Sequence, residues 1–105
     1  MYAVMGTDTF LENLESQNAD YLDAVRKISD NLSKNPWSGK PLKYSFFREK
    51  RYRESRIYYL VYDDLQLILL VATSGKKDQQ DVIDTVLKDL AQFRLEAETI
   101  SRRGA

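Results

Sequence analysis

The chain has 105 residues, 43% of them hydrophobic, with 16 basic and 16 acidic side chains, no cysteine and no histidine. That size fits one domain spanning 1–105 with its own core and no disulfide or thiolate-metal support, and any catalysis has to run on Lys, Arg, Tyr, Ser, Thr or carboxylate groups. The greasiest run, Leu65 to Ala72, is far below the roughly 20 residues a bilayer span needs, and the N-terminus lacks a signal-like stretch, so the sequence predicts a soluble cytoplasmic chain.

Tyr2 to Met5, ended by Gly6, reads as a first strand. Thr7 or Asp8 can cap a short helix with Phe10, Leu11 and Leu14 on one face. A second helix follows from about Asp20 to Ser33, where Leu22, Val25, Ile28 and Leu32 recur at helical spacing, and the two form a helical hairpin. Asn35-Pro36-Trp37-Ser38-Gly39 stops it: Pro36 cannot continue a helix and Gly39 offers a positive φ. Trp37 reads as a core plug beneath this loop.

Three strands come next. Leu42–Arg48 alternates with Leu42, Tyr44 and Phe46 on one face, and Arg56–Tyr62 with Ile57, Tyr59 and Val61 on one face. Gln66–Thr73 is almost wholly apolar. Asp63-Asp64 is a tight-turn signal rather than a metal site, because two adjacent carboxylates without convergent partners make a poor cage. A final helix from about Asp78 carries Val82, Ile83, Val86, Leu87, Leu90 and Phe93, and the polar tail beyond about residue 94 is expected to fray. The layout is an α+β fold: a small, four-stranded, mostly antiparallel sheet with an N-terminal helical hairpin and a C-terminal helix.

Charge is unevenly spread. Residues 1–39 balance at −3, whereas Lys40 to Arg56 holds seven bases and two acids. If Asp63-Asp64 centres one hairpin and a loop at about 49–55 the other, Arg56 falls opposite Ala72 and Arg48 opposite Arg56. Arg48, Arg56, Lys76 and Lys77 then converge at one end of the sheet, with Lys50, Arg51 and Arg53 on the flanking loop. Converging cations repel unless an anion sits among them, which points to a phosphate-bearing ligand or an acidic partner. The TSGKK segment lacks the glycine spacing of a nucleotide loop.

The run NPWSGKPLKYSFFREKRYRESRIYYLVYDD, followed by LILLVATSGKKDQQDVIDTVLKDL, resembles the RelE/ParE toxin superfamily of type II toxin–antitoxin systems. The resemblance rests on a Pro-Gly stop after two helices, a Pro-Leu step into the second strand, an Arg-Ile-x-Tyr third strand, and a fourth strand running into Gly-Lys-Lys before the last helix. It implies a metal-independent, cofactor-free mRNA endonuclease that works in the ribosomal A site and is neutralised by a cognate antitoxin. In such a protein Arg56 and Lys77 would clamp the scissile phosphate, and Arg48 would hold a flanking phosphate or assist proton transfer. Lys43, Lys50, Arg51, Arg53 and Lys76 would bind RNA. The aromatic that some nuclease members carry early in the last helix corresponds to Ile83. The resemblance equally admits a ParE-like inhibitor of DNA gyrase without nuclease activity, or a non-toxic antitoxin-binding relative.

Overall fold

The computed structural model describes residues 1–104. Strand β1 (Ala3–Gly6) leads into helices α1 (Asp8–Glu15) and α2 (Ala19–Lys34); strands β2 (Lys40–Pro41), β3 (Phe47–Tyr52), β4 (Ser55–Tyr62) and β5 (Leu67–Ser74) follow, then α3 (Gln79–Lys88) and α4 (Leu90–Arg102). The sheet has five strands in the order β1-β5-β4-β3-β2, with β1 parallel to β5 and the other pairs antiparallel. The expected four-stranded sheet with one closing helix is therefore a five-stranded mixed sheet with four α-helices.

The first two helices each start at a side-chain cap. The Thr7 hydroxyl accepts the Phe10 N–H at 3.1 Å and the Asn18 side chain accepts that of Tyr21 at 2.9 Å. Caps of this kind contribute about 1 kcal/mol each. Tyr21, Val25 and Leu32 of α2 are buried with Phe10 of α1 against Ile57, Tyr59, Val61, Ile68 and Leu70 of the sheet. On the other face, Val86 of α3 and Ala97 of α4 close over Phe47, Tyr58, Leu60, Tyr62, Leu67, Leu69 and Val71. Helices on both faces explain why β5 is apolar without alternation and why both halves of the β4 alternation are buried. Leu11 and Leu22, expected on the inward stripes, are exposed.

Four departures from expectation reposition the site. Strand β3 begins at Phe47 rather than Leu42, so the basic residues after Arg48 lie within a strand and the loop shrinks to Arg53-Glu54, where Arg53 takes a positive φ of 55°. Such two-residue hairpin turns require left-handed backbone, which an arginine adopts only under strain. Gly39 has φ −75°, so its use is not a left-handed turn. Trp37 is exposed while its neighbour Pro36 is buried, so the proline plugs this corner. Finally, the chain beyond residue 94 is helical to Arg102, with Ala97 buried and Ile100 packed on the core.

Helix α4 is latched to the turn after β4. The Arg94 guanidinium donates to both Asp64 carboxylate oxygens at 3.0 and 2.7 Å and to Glu98 at 3.0 Å, and its carbon lies 5.5 Å from the Tyr62 ring centroid. Burial pushes the Tyr62 phenol up to about 12. Hydrogen bonding from Arg94 holds the Asp64 carboxyl below its ordinary value of 3.8. Because the folded value is depressed, the stabilisation is present above the unfolded value and is lost as pH falls through the folded one. Arg94→Ala is expected to lower the thermal midpoint at neutral pH, and the gap between variant and parent should close below Asp64's folded value. Melting curves at the two pH values check this; a gap that persists in acid would assign the loss to packing on Tyr62.

Candidate active site

Register decides which cations meet. On β3, Phe47, Glu49 and Arg51 share one face with Leu60, Tyr58 and Arg56 of β4, and Arg48, Lys50 and Tyr52 share the other with Tyr59 and Ile57. A bulge between Tyr58 and Tyr59 shifts the β4–β5 pairing by one residue. It brings Ser74 rather than Thr73 opposite Arg56, so the Ser74 hydroxyl meets the Tyr58 hydroxyl at 2.8 Å. The expected partner of Arg56, Ala72, pairs with Tyr58 instead.

The result is a buried polar group inside an otherwise apolar face. Glu49, Arg56, Tyr58 and Ser74 are all buried. The Arg56 Nε stands 3.9 Å from Glu49 Oε2, and its Nη1 donates to the Glu54 carbonyl at 3.2 Å. Glu49 Oε2 is buried yet accepts no hydrogen bond from the protein. A carboxylate oxygen shut away from water without a donor costs free energy, so this one calls for a physical reason. Burial chiefly raises the Tyr58 phenol pKa; the charges of Glu49 and Asp78 raise it further, while the Ser74 hydrogen bond and Arg56 oppose the shift.

Arg51 pairs with Arg56 and is exposed, and Lys76 and Lys77 follow Ser74 by two and three residues, exposed at the same end of the sheet. Arg53 is exposed in the adjoining turn, with its guanidinium 5.2 Å from the Tyr52 ring centroid. Arg51, Lys76 and Lys77 thus lie at the end of the sheet that carries Arg56, whereas Arg53 lies over Tyr52, on the opposite face from the Glu49–Arg56 pair. Arg48 does not join them. It projects from the opposite face, where its guanidinium donates to the carbonyls of Ser45, Trp37 and Gly39 at 2.8, 2.9 and 2.7 Å. The expected pairing of Arg48 with Arg56 is corrected to Arg48 with Tyr59, because the strand starts and turns later than the charge pattern implies. Lys50 shares the Arg48 face, and Lys43 lies in the segment between β2 and β3.

No protein-family model matches the sequence, and no curated protein does. Solved structures match most of the chain in fold. The toxin–antitoxin complex RelBE2 from Mycobacterium tuberculosis is 24% identical with a TM-score of 0.62, over 70% of this chain and 90% of that one. The E. coli toxin RelE in complex with an antitoxin RelBc peptide is 15% identical with a TM-score of 0.66, over 81% and 93%. A free-state mutant of the same toxin reaches a TM-score of 0.70 at 12% identity, over 83% and 96%.

The chain has the fold of the RelE toxins. Within that fold the buried acid is the residue that sequence reasoning passed over. Its signal was present: Glu49 sits two residues from the buried Phe47 in an alternating strand, an anion in the middle of a cationic run. Ile83, half-buried against the α3–α4 side of the core, supplies no hydroxyl. Tyr58 is the phenol that belongs to the cluster.

Proposed function

We propose that this protein is the toxin of a type II toxin–antitoxin system that cleaves mRNA on the ribosome and is silenced by a cognate antitoxin. The observation that carries the reading is the Glu49–Arg56 pair, with its undonated carboxylate oxygen, set at the same end of the sheet as exposed cations in a RelE-type fold. RNA brings its own nucleophile, so the protein needs only to position it, take its proton and stabilise charge.

In this scheme the Glu49 carboxylate, through its oxygen other than the buried Oε2, accepts the proton of a ribose 2′-hydroxyl as the hydroxyl oxygen attacks the adjacent phosphorus. Arg56 offsets the charge that grows on the equatorial phosphoryl oxygens. Lys77 and Arg51 hold the flanking phosphates, with Lys76 extending the track. The bond to the 5′-oxygen breaks and that oxygen takes a proton from solvent, leaving a 2′,3′-cyclic phosphate and a 5′-hydroxyl. Arg48 acts only by tying the corner between α2 and β3, so its loss lowers activity through the position of Glu49's strand. The antitoxin covers these cations with acidic side chains, as suits a partner that must release its toxin intact.

Glu49→Gln keeps the shape and removes the base. Induced expression of the parent should arrest growth and yield transcripts cut within translated regions, and Glu49→Gln should reduce the cutting by about 10²–10⁴-fold, the usual contribution of a general base. Arrest accompanied by gyrase-linked DNA breaks and intact transcripts would favour the ParE-like alternative.

A further inference from the structure

The corner anchored by Arg48 lies outside the Glu49–Arg56 cluster and carries an unusual surface. From Asn31 to Arg48 the sequence holds four cations, Lys34, Lys40, Lys43 and Arg48, and no acid. Among the described residues no ion pair engages Lys34, Lys40 or Lys43, and all three are exposed. Two large aromatic side chains are exposed with them, Trp37 at 42% and Tyr44 at 44%.

Neither aromatic belongs to a loose loop. Arg48 donates to carbonyls in both segments, Trp37 and Gly39 on one side and Ser45 on the other, and its guanidinium lies 5.2 Å from the Trp37 ring centroid. Tyr44 stacks on Phe46 with centroids 5.1 Å apart and planes 5° apart, and Phe46 is itself packed on the core. One face of the Tyr44 ring is thus fixed to the protein, which preorganises the other for a planar guest. A rigid aromatic face with exposed lysines within a few residues along the chain suits an unstacked base with its phosphate.

We infer that Trp37 and Tyr44, with Lys40 and Lys43, form a docking platform for single-stranded RNA, separate from the Glu49–Arg56 cluster. Bases stack on Tyr44 and Trp37 while the lysines take the phosphates. The inference rests on the reading of the protein as RNA-directed, yet it concerns binding and stands or falls without cleavage. It assigns Lys43 to this platform rather than to the rim of the catalytic cluster.

Trp37 is the chain's one tryptophan, so its emission reports on the platform alone. The probe is a short uridine homopolymer, with a duplex RNA of equal length as comparison. The single strand should quench Trp37 in a saturable way, more strongly than the duplex, with an affinity that falls as salt rises. Tyr44→Leu keeps an apolar group on Phe46 but removes the flat face, and should weaken the single-strand affinity by about tenfold, the scale of one lost base stack. Tyr44→Phe should restore it. Emission that stays unchanged when RNA binding is saturated, or a Tyr44→Leu affinity equal to the parent's, would overturn the platform, as would equal quenching by polyglutamate. Cleavage by the same samples is read separately: quenching with intact mRNA would keep the platform and remove the nuclease reading.

Discussion

Arg56→Ala is expected to abolish RNA cleavage and to destabilise the protein at the same time. The sequence suggests an exposed strand arginine, whose removal would leave stability within about 0.5 kcal/mol. In the structure Arg56 is 7% exposed and, among the described residues, is the only cation within ion-pair distance of a carboxylate that is itself 9% exposed. Removing one partner strands the other charge in a poorly solvated place, at a typical cost of about 3–5 kcal/mol. The 3.9 Å separation puts the expectation at the lower end. Loss of toxicity in this variant alone therefore proves nothing about chemistry. The informative construction is Arg56→Ala combined with Glu49→Gln, which neutralises the stranded carboxylate. Denaturant unfolding should show the double variant recovering much of the lost stability while remaining inactive; additive losses would mean the two side chains do not act as a pair.

Gly39→Ala should cost a comparable amount for a purely steric reason. A Cβ built at Gly39 would lie 2.4 Å from the Tyr59 hydroxyl oxygen and 2.6 Å from the Glu49 carbonyl oxygen, well inside contact distance. The glycine N–H donates to that same hydroxyl at 3.0 Å, and the hydroxyl donates to the Pro36 carbonyl at 2.8 Å. Relief requires the corner and β3 to separate, breaking these bonds. Overpacking of about 1–3 kcal/mol together with two weakened hydrogen bonds brings the expectation to about 3 kcal/mol. At roughly 4–8 °C per kcal/mol for a domain of this size, the thermal midpoint should fall by more than 10 °C. Tyr59→Phe in the same chain removes the nearest of three clashing atoms, leaving the Glu49 carbonyl oxygen and the ring Cε1 at 2.9 Å, so it should recover part of the loss. An unchanged midpoint for Gly39→Ala would contradict the close approach of the corner to the strand that carries Glu49.

What the sequence makes legible follows from how strongly each element is patterned. Strand β1, helices α1 and α2 and the β4 alternation are specified by local signals, caps and periodicity, and they fall within a residue or two of expectation. Strand β3 hides because its residues from Arg48 to Arg51 are charged, which reads as a loop, although alternation on a strand lets Phe47 and Glu49 point inward while Arg48 and Lys50 take the other face. The break between α3 and α4 carries no glycine or proline at Lys88-Asp89-Leu90, and the buried side of α4 relies on Ala97, too small to mark a stripe. The β-bulge leaves no composition signal at all, yet it decides that Ser74 faces Tyr58 and Arg56. Hence Arg56 stands out in the sequence by charge alone, while the placement of Arg48 and the partnership of Arg56 with Glu49 depend on register.

The most direct test of the account is cleavage by purified protein of a defined mRNA on assembled ribosomes, with both new ends characterised. The account predicts cuts in the decoding site that persist in EDTA and leave a 2′,3′-cyclic phosphate and a 5′-hydroxyl, with Glu49→Gln folded but inactive. Intact mRNA with the folded parent, or cleavage retained in full by Glu49→Gln, would contradict it.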